Sequence, residues 1–250
     1  MEHCNGGDLS HIIKQAKKKN NDYIGEDLIW RIFSQLCLAL RHCHKKTPNP
    51  VIHRDIKPAN VFIGDKNKVK LGDFGLSKIL VNDSMYAYTN VGTPYYMSPE
   101  QINEERYNHK SDVWSLGCII YETAALKPPF QAENYLALAV KIKEGKIGKI
   151  PNHYSEDLQS VIEQMLKVDP SKRPSIEDLI KKNSSINVKV REIKVKEKIN
   201  EVIEKEKLLE VKEKELKEIS QMLEKRIAVV EEREKKVAEL ETQYKALVSN

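Results

Sequence analysis

The feature that most constrains the fold is a change of composition near residue 187. Residues 188–250 hold no Gly, Pro, Trp or Phe and are dominated by Glu, Lys, Val, Ile and Leu. Up to about Lys182 the chain instead mixes apolar runs with Gly, Pro, Tyr and Trp. A long stretch without breakers and rich in helix formers predicts a long helix, and the varied part before it predicts a packed domain. The expected organisation is a domain over 1–182, a linker over 183–187 and a helical tail over 188–250.

The tail carries a second regularity. Val188, Val195, Val202, Leu209, Leu216, Leu223, Val230, Val237 and Tyr244 recur every seven residues, the period of a coiled coil. A second apolar column is poor: Ile199, Ile227 and Val248 on one side, or Ile219, Leu240 and Leu247 on the other, are separated by Glu, Ser, Lys and Arg. Two readings stay open, a coiled coil and a lone helix stabilised by Glu/Lys pairs. Either way, about 60 residues at 1.5 Å each make a rod of about 90 Å.

Charge and cysteines exclude several functions. The net charge is +5, and from Val188 onward 16 Lys and Arg face 15 Asp and Glu, so charge gives no support to a nucleic-acid partner. No apolar run approaches the roughly 20 residues needed to cross a bilayer, and no membrane association is expected. Cys4, Cys37, Cys43 and Cys118 show no metal-ligand spacing and read as free thiols of a reducing compartment. Cys37, His42, Cys43 and His44 fall on one expected helix without a zinc pattern.

Within the first part, Asp8 stands as a helix N-cap before Leu9, Ile12 and Ile13. A helix over Glu26–His44 aligns Leu28, Ile32, Leu36 and Leu40 on one face. Val51-Ile52, Val61–Ile63 and Val69–Leu71 read as short strands around residues 53–60. Asp112–Leu126 is too apolar all round for a surface helix and belongs in the centre of the domain. Further helices are expected near 134–144, 155–167 and 175–182, each after a capping residue.

The chemistry concentrates in three short segments. His53-Arg54-Asp55-Ile56-Lys57-Pro58-Ala59-Asn60 is followed by Asp73-Phe74-Gly75 and then by Ser98-Pro99-Glu100. Their order and spacing suit phosphoryl transfer, which needs an aligned nucleophile, metal ions on the phosphates and exclusion of water. By its place in the first segment, Asp55 would accept or orient the proton of a substrate hydroxyl, and Lys57 would sit near the transferred phosphate. Asn60 and Asp73 offer hard oxygen ligands to Mg²⁺.

With these residues the chain resembles a eukaryotic protein kinase, and most closely the NIMA-related family of serine/threonine kinases. The resemblance covers residues 1 to about 182. Lys57 in its loop, and Gly92-Thr93-Pro94-Tyr95-Tyr96-Met97-Ser98-Pro99-Glu100, are similar to serine/threonine rather than tyrosine kinases. It implies a mainly α fold, a kinase C-terminal lobe with short β-strands followed by a helical coiled coil, and the use of ATP and Mg²⁺. It implies a hinge at Met1–Leu9, with Met1 as gatekeeper, Glu2 and Cys4 offering backbone bonds to adenine and Asp8 near the ribose. Phe62 would floor the adenine and Thr89 would accept the activating phosphate, with Arg54 as its cationic partner. Thr93 would shape the hydroxyl site beside Asp55, and Glu100 with Arg173 would form a buried ion pair. Ser98 departs from the usual alanine of that motif, as NIMA-related kinases do.

The same resemblance places a Gly-rich loop, a strand lysine and its helix glutamate upstream of Met1. Two expectations follow, a piece of a longer kinase or a short, catalytically defective form. The implied function is transfer of the ATP γ-phosphate to protein Ser/Thr hydroxyls; the alternative is a coiled-coil interaction protein that pairs or competes with a full-length kinase. Protein substrates and a homodimer through the tail are the expected partners. The expected location is intracellular, in the cytoplasm, with cytoskeleton, centrosome or nucleus as finer sites.

Overall fold

The computed structural model describes residues 4–19, 23–45, 51–73 and 94–248. The chain divides into two units, Met1–Glu192 and Ile193–Asn250. The first unit contains α1 (Leu9–Lys18), α2 (Glu26–Lys45), β1 (Val61–Ile63), β2 (Val69–Leu71), α3 (Pro99–Ile102), α4 (His109–Ala125), α5 (Tyr135–Glu144), α6 (Glu156–Met165) and α7 (Ile176–Lys182). The final helix, α8, runs Ser184–Val248 and supplies the whole described part of the second unit.

Capping residues fix most of the helix starts. Asp8, Asn108, Asn134, Ser155 and Ser175 each accept a backbone N–H of the first turn with their side chains. Asn108 and Ser175 also form reciprocal boxes with Ser111 and Asp178. The expected helix starts therefore fall within a few residues of the observed ones.

α4 is the axis of the lobe. Thirteen of its residues are buried, including Val113, Trp114, Leu116, Ile119 and Ile120, because it packs against both α2 and α6. Gly117 lets α6 approach: a Cβ there would lie 2.9 Å from Met165 Cβ and 3.0 Å from Leu166 Cδ2. Trp114 stacks on Phe130 with centroids 5.5 Å apart.

The sheet differs from expectation. Among the described residues it has two strands, β1 and β2, paired antiparallel with Val61 opposite Leu71. Val51-Ile52 is not a strand, because Val51 N–H donates to Cys43 O at the end of α2 and is thereby withdrawn from a ladder. β1 instead meets the segment before α1, through Gly6 N to Ile63 O (2.9 Å), Ile63 N to Gly7 O (2.8 Å) and a bridge between Asp8 and Phe62.

The segment 183–187 also differs. The expected linker is the first turn of α8, where Ile186 and Val190 enter the core. Asn183 and Ser185 donate to Asp157, and Lys189 pairs with Asp27 at 2.7 Å. The lobe thus recruits the first residues of the tail helix. In the second unit Val195, Val202, Leu209, Leu216, Leu223, Val230 and Val237 are all exposed.

Candidate active site

The loop 53–60 is held from below by one carboxylate. Asp112, fully buried near the start of α4, accepts His53 N (3.1 Å), Arg54 N (3.2 Å), His44 Nε2 (2.8 Å) and Tyr107 Oη (2.6 Å). Two successive backbone N–H groups aimed at one carboxylate require a tight turn, and Arg54 adopts a left-handed φ of 70°. His53 is itself buried. Its Nε2 donates to Gly72 O (2.9 Å) and its Nδ1 accepts Asp55 N (3.4 Å), which fixes a neutral tautomer. Burial holds the His53 imidazole below its ordinary range, although the Asp112 carboxylate acts in the opposite direction.

Above this base lies a triad of polar side chains. Lys57 Nζ stands 2.7 Å from Asp55 Oδ2, and Asn60 Nδ2 donates to the same oxygen and to Asp55 O, both at 2.9 Å. No described residue bonds Asp55 Oδ1. Because both Asn60 amide bonds use Nδ2, its Oδ1 is kept as an acceptor. Gly72 N donates to Asn60 O (2.9 Å), so Asp73, one residue on, is delivered next to Asn60. Asp73 is exposed with a φ of 65°.

The other sequence candidates are distributed around this centre. Phe62 is half-buried on β1, and its ring explains Gly72: a Cβ at 72 would lie 2.7 Å from Phe62 Cε2. The backbone carbonyl of Cys4 accepts Gly7 N (3.2 Å). Asp8 caps α1, its Oδ1 accepting His11 N (3.0 Å) and the Ser10 hydroxyl, and these bonds hold its carboxyl below the usual range against burial. Glu2, Thr89 and Thr93, with the gatekeeper candidate Met1, lie outside the described residues.

Glu100 and Arg173 form a two-pronged pair at 2.7 and 2.8 Å, fully desolvated. The remaining Arg173 N–H groups go to the carbonyls of Lys167, Val168 and Lys110, and the guanidinium lies 4.9 Å over Trp114. Burial alone would raise the Glu100 carboxyl, but hydrogen bonds from Arg173 and from Ser111 (2.6 Å) outweigh it and hold it low. The pair ties α3 to the stretch before α7.

Three contributors were not singled out as site residues in the sequence. Asp112 opens an apolar helix, and a carboxylate in that place is itself a signal of a buried acceptor. Ser115 Oγ donates to Tyr96 O (2.9 Å), and Tyr96 Oη donates to Glu122 Oε2 (2.7 Å). Burial raises the Glu122 carboxyl, against the Tyr96 hydrogen bond. The loop leading to α3 is thereby mounted on α4, like the loop 53–60.

Comparison with known proteins agrees with this arrangement. Residues 1–184 match the model of the protein kinase domain. The chain is 51% identical over 195 residues to the probable serine/threonine-protein kinase nek2 of Dictyostelium discoideum, covering 78% of this chain and 46% of that protein. It is 50% identical over 182 residues to human serine/threonine-protein kinase Nek2, covering 72% and 41%. It is 45% identical over 204 residues to the G2-specific protein kinase nimA of Emericella nidulans, covering 72% and 29%. The chain belongs to the protein kinase family, in its NIMA-related serine/threonine branch. It spans less than half the length of these relatives.

Proposed function

We propose that this lobe carries the acceptor side of ATP-dependent phosphorylation of protein serine and threonine hydroxyls. The observation that supports the reading most directly is the Asp55 carboxylate: Oδ2 is fixed by Lys57 and Asn60, and no described residue bonds Oδ1. A hydroxyl brought to Oδ1 is oriented toward the phosphate, and Asp55 receives its proton as the new O–P bond forms. The Lys57 ammonium adds positive charge where the transferred group becomes charge-rich. Asn60 Oδ1 and the exposed Asp73 carboxylate fit a hard divalent cation such as Mg²⁺. When bound, that ion would neutralise phosphate oxygens.

Glu2, Cys4 and Asp8 are proposed to face the nucleotide, with Phe62 beneath the adenine. Thr89, with Arg54 as its cation, and Thr93 are proposed for activation and for shaping the hydroxyl site. The tail is proposed to join two copies, so that one lobe phosphorylates Thr89 of the other. An intracellular location, cytoplasmic or at the cytoskeleton, suits a kinase of this branch; among the described residues no helix is long and apolar enough to cross a membrane.

Protein captured through its tail from its own cells tests the catalytic reading. Phosphate transfer from ATP to a generic protein should occur and should fall at least 100-fold in Asp55→Asn, the scale of general base and positioning effects. Equal incorporation by both would instead favour the non-catalytic interaction protein. For the tail, Leu209, Leu216 and Leu223 changed together to Glu should convert a sedimenting dimer to a monomer. An unchanged sedimentation coefficient would remove the dimer.

A further inference from the structure

The hairpin β1–β2 carries both proposed cation ligands at one end. Asn60 immediately precedes β1, and Gly72 and Asp73 immediately follow β2. The register continues past the strands through Gly72 N to Asn60 O (2.9 Å), so the ligands emerge at the open end. A tight turn closes the other end, with Gly64 N donating to Lys68 O (2.7 Å) and Lys68 N to Asp65 O (3.1 Å). The outer edge of β1 pairs with the segment at Gly6 and Gly7, and Asn5 Nδ2 donates to Asp65 Oδ1 (3.2 Å). The outer edge of β2 meets a side chain. Gln35, half-buried on α2, accepts Val69 N at Oε1 (2.9 Å) and donates from Nε2 to Asn67 O (3.0 Å). A longer bond from Nε2 to Arg31 O (3.3 Å) ties the same amide to its own helix. A carboxamide carries the donor and the acceptor of a peptide group, so Gln35 serves as one rung of a further strand.

Resting on the proposed role of Asn60 and Asp73, we infer that Gln35 is a positioning residue for the cation. It fixes the hairpin against α2 and thereby sets the spacing between the two ligands. The lever is short: Val69 to Gly72 spans about 10 Å, so a swing of about 5° at the gripped end displaces the far end by about 1 Å. Asn60 is tied independently to Asp55, so the displacement falls on Asp73 and changes its distance from Asn60. Mg²⁺ demands near-ideal octahedral geometry and tolerates such a change poorly. The substrate-hydroxyl side is held separately, since Asp112 on α4 fixes the loop that carries Asp55 and Lys57. The signature of Gln35 is therefore a loss of cation affinity with turnover preserved once cation and ATP saturate.

The test uses protein captured through its tail, with Mn²⁺ as the probe and electron paramagnetic resonance measuring the free ion in the presence of ADP. Gln35→Met keeps the length and volume of the side chain and removes both bonds to the hairpin. It should raise the Kd for Mn²⁺ about 10-fold, the low end for groups that orient metal ligands. Turnover at saturating Mg²⁺ and ATP should stay within about 2-fold of wild type. Gln35→Glu keeps the acceptor for Val69 N but turns a carboxylate oxygen toward Asn67 O, and should shift the Kd in the same direction. Ile32→Val trims the core on the same helix and controls for lost stability; its Kd should stay within about 2-fold of wild type. A Kd unchanged in both Gln35 variants, or raised equally by Ile32→Val, overturns the positioning role and leaves the cation reading standing. Wild-type protein that binds Mn²⁺ no better than Asp73→Asn overturns the cation reading, and the role of Gln35 with it.

Discussion

The Asp112 carboxylate accepts four hydrogen bonds, two of them from consecutive backbone N–H groups of the loop 53–60. Truncating it orphans donors that have no route to water, each at about 1–3 kcal/mol. Asp112→Ala should therefore lower the urea-unfolding free energy by about 3–5 kcal/mol, and Asp112→Asn, which keeps an acceptor oxygen, should recover part of it. A loss below about 1 kcal/mol would show that the loop does not depend on this carboxylate. The sequence displayed Asp55, Lys57, Asn60 and Asp73 through local spacing. It displayed Asp112 poorly, because its partners lie 58 and 59 residues earlier and only folding brings them together. The bonding of Asn60 to Asp55, five residues apart, was within reach of sequence; the bond from Gly72 to Asn60 was not.

At the scale of elements, caps and apolar spacing carried most of the information. α5, α6 and α7 were legible because Asn134, Ser155 and Ser175 are chemical punctuation, α2 because it has one apolar face, and α4 because it is apolar all round, although its cap Asn108 and first turn fell outside the expected 112–126. Val51-Ile52 was misread because β-branched residues favour strands only where a ladder partner exists, and Val51 is bonded to α2 instead. The linker was misread because polar composition at 183–187 hides a single core residue, Ile186. Packing between elements was invisible in the sequence. The tight contact at Gly117 predicts that Gly117→Val will force α4 from α6 and cost about 1–3 kcal/mol by overpacking. Circular dichroism melts can check this, and a Tm equal to wild type would refute it.

For the whole molecule, stability should depend on pH and on where the tail is cut. His53 and His109 are both held below the ordinary imidazole range, first by burial, with His44 and Lys110 adding to the effect at His109. In the unfolded chain both take protons near pH 6.5. Just below that pH the unfolded state binds more protons, so stability should fall as pH drops from about 6.5 toward the folded values. A Tm series from pH 7.5 to 5.5 should show this fall, and the fall should shrink in the double variant His53→Gln, His109→Gln. An undiminished fall would assign it to other groups. For the tail, ending the chain after Glu192 keeps Ile186, Val190 and the Lys189–Asp27 pair, whereas ending it after Lys182 removes them. The shorter chain should lose about 3–5 kcal/mol by the burial of two aliphatic side chains, and the longer one less than about 1 kcal/mol; equal midpoints in urea would contradict the role of these turns.

Three attachments lie along α4: Asp112 holds the loop 53–60, Ser115 holds the backbone of Tyr96, and Ser111 steadies Glu100. All three share one datum. A tilt or slide of that helix carries the loop 53–60 and the loop leading to α3 together, so such a disturbance is common-mode and cancels in their mutual alignment. Error enters only through the short spans between each attachment and its working atoms.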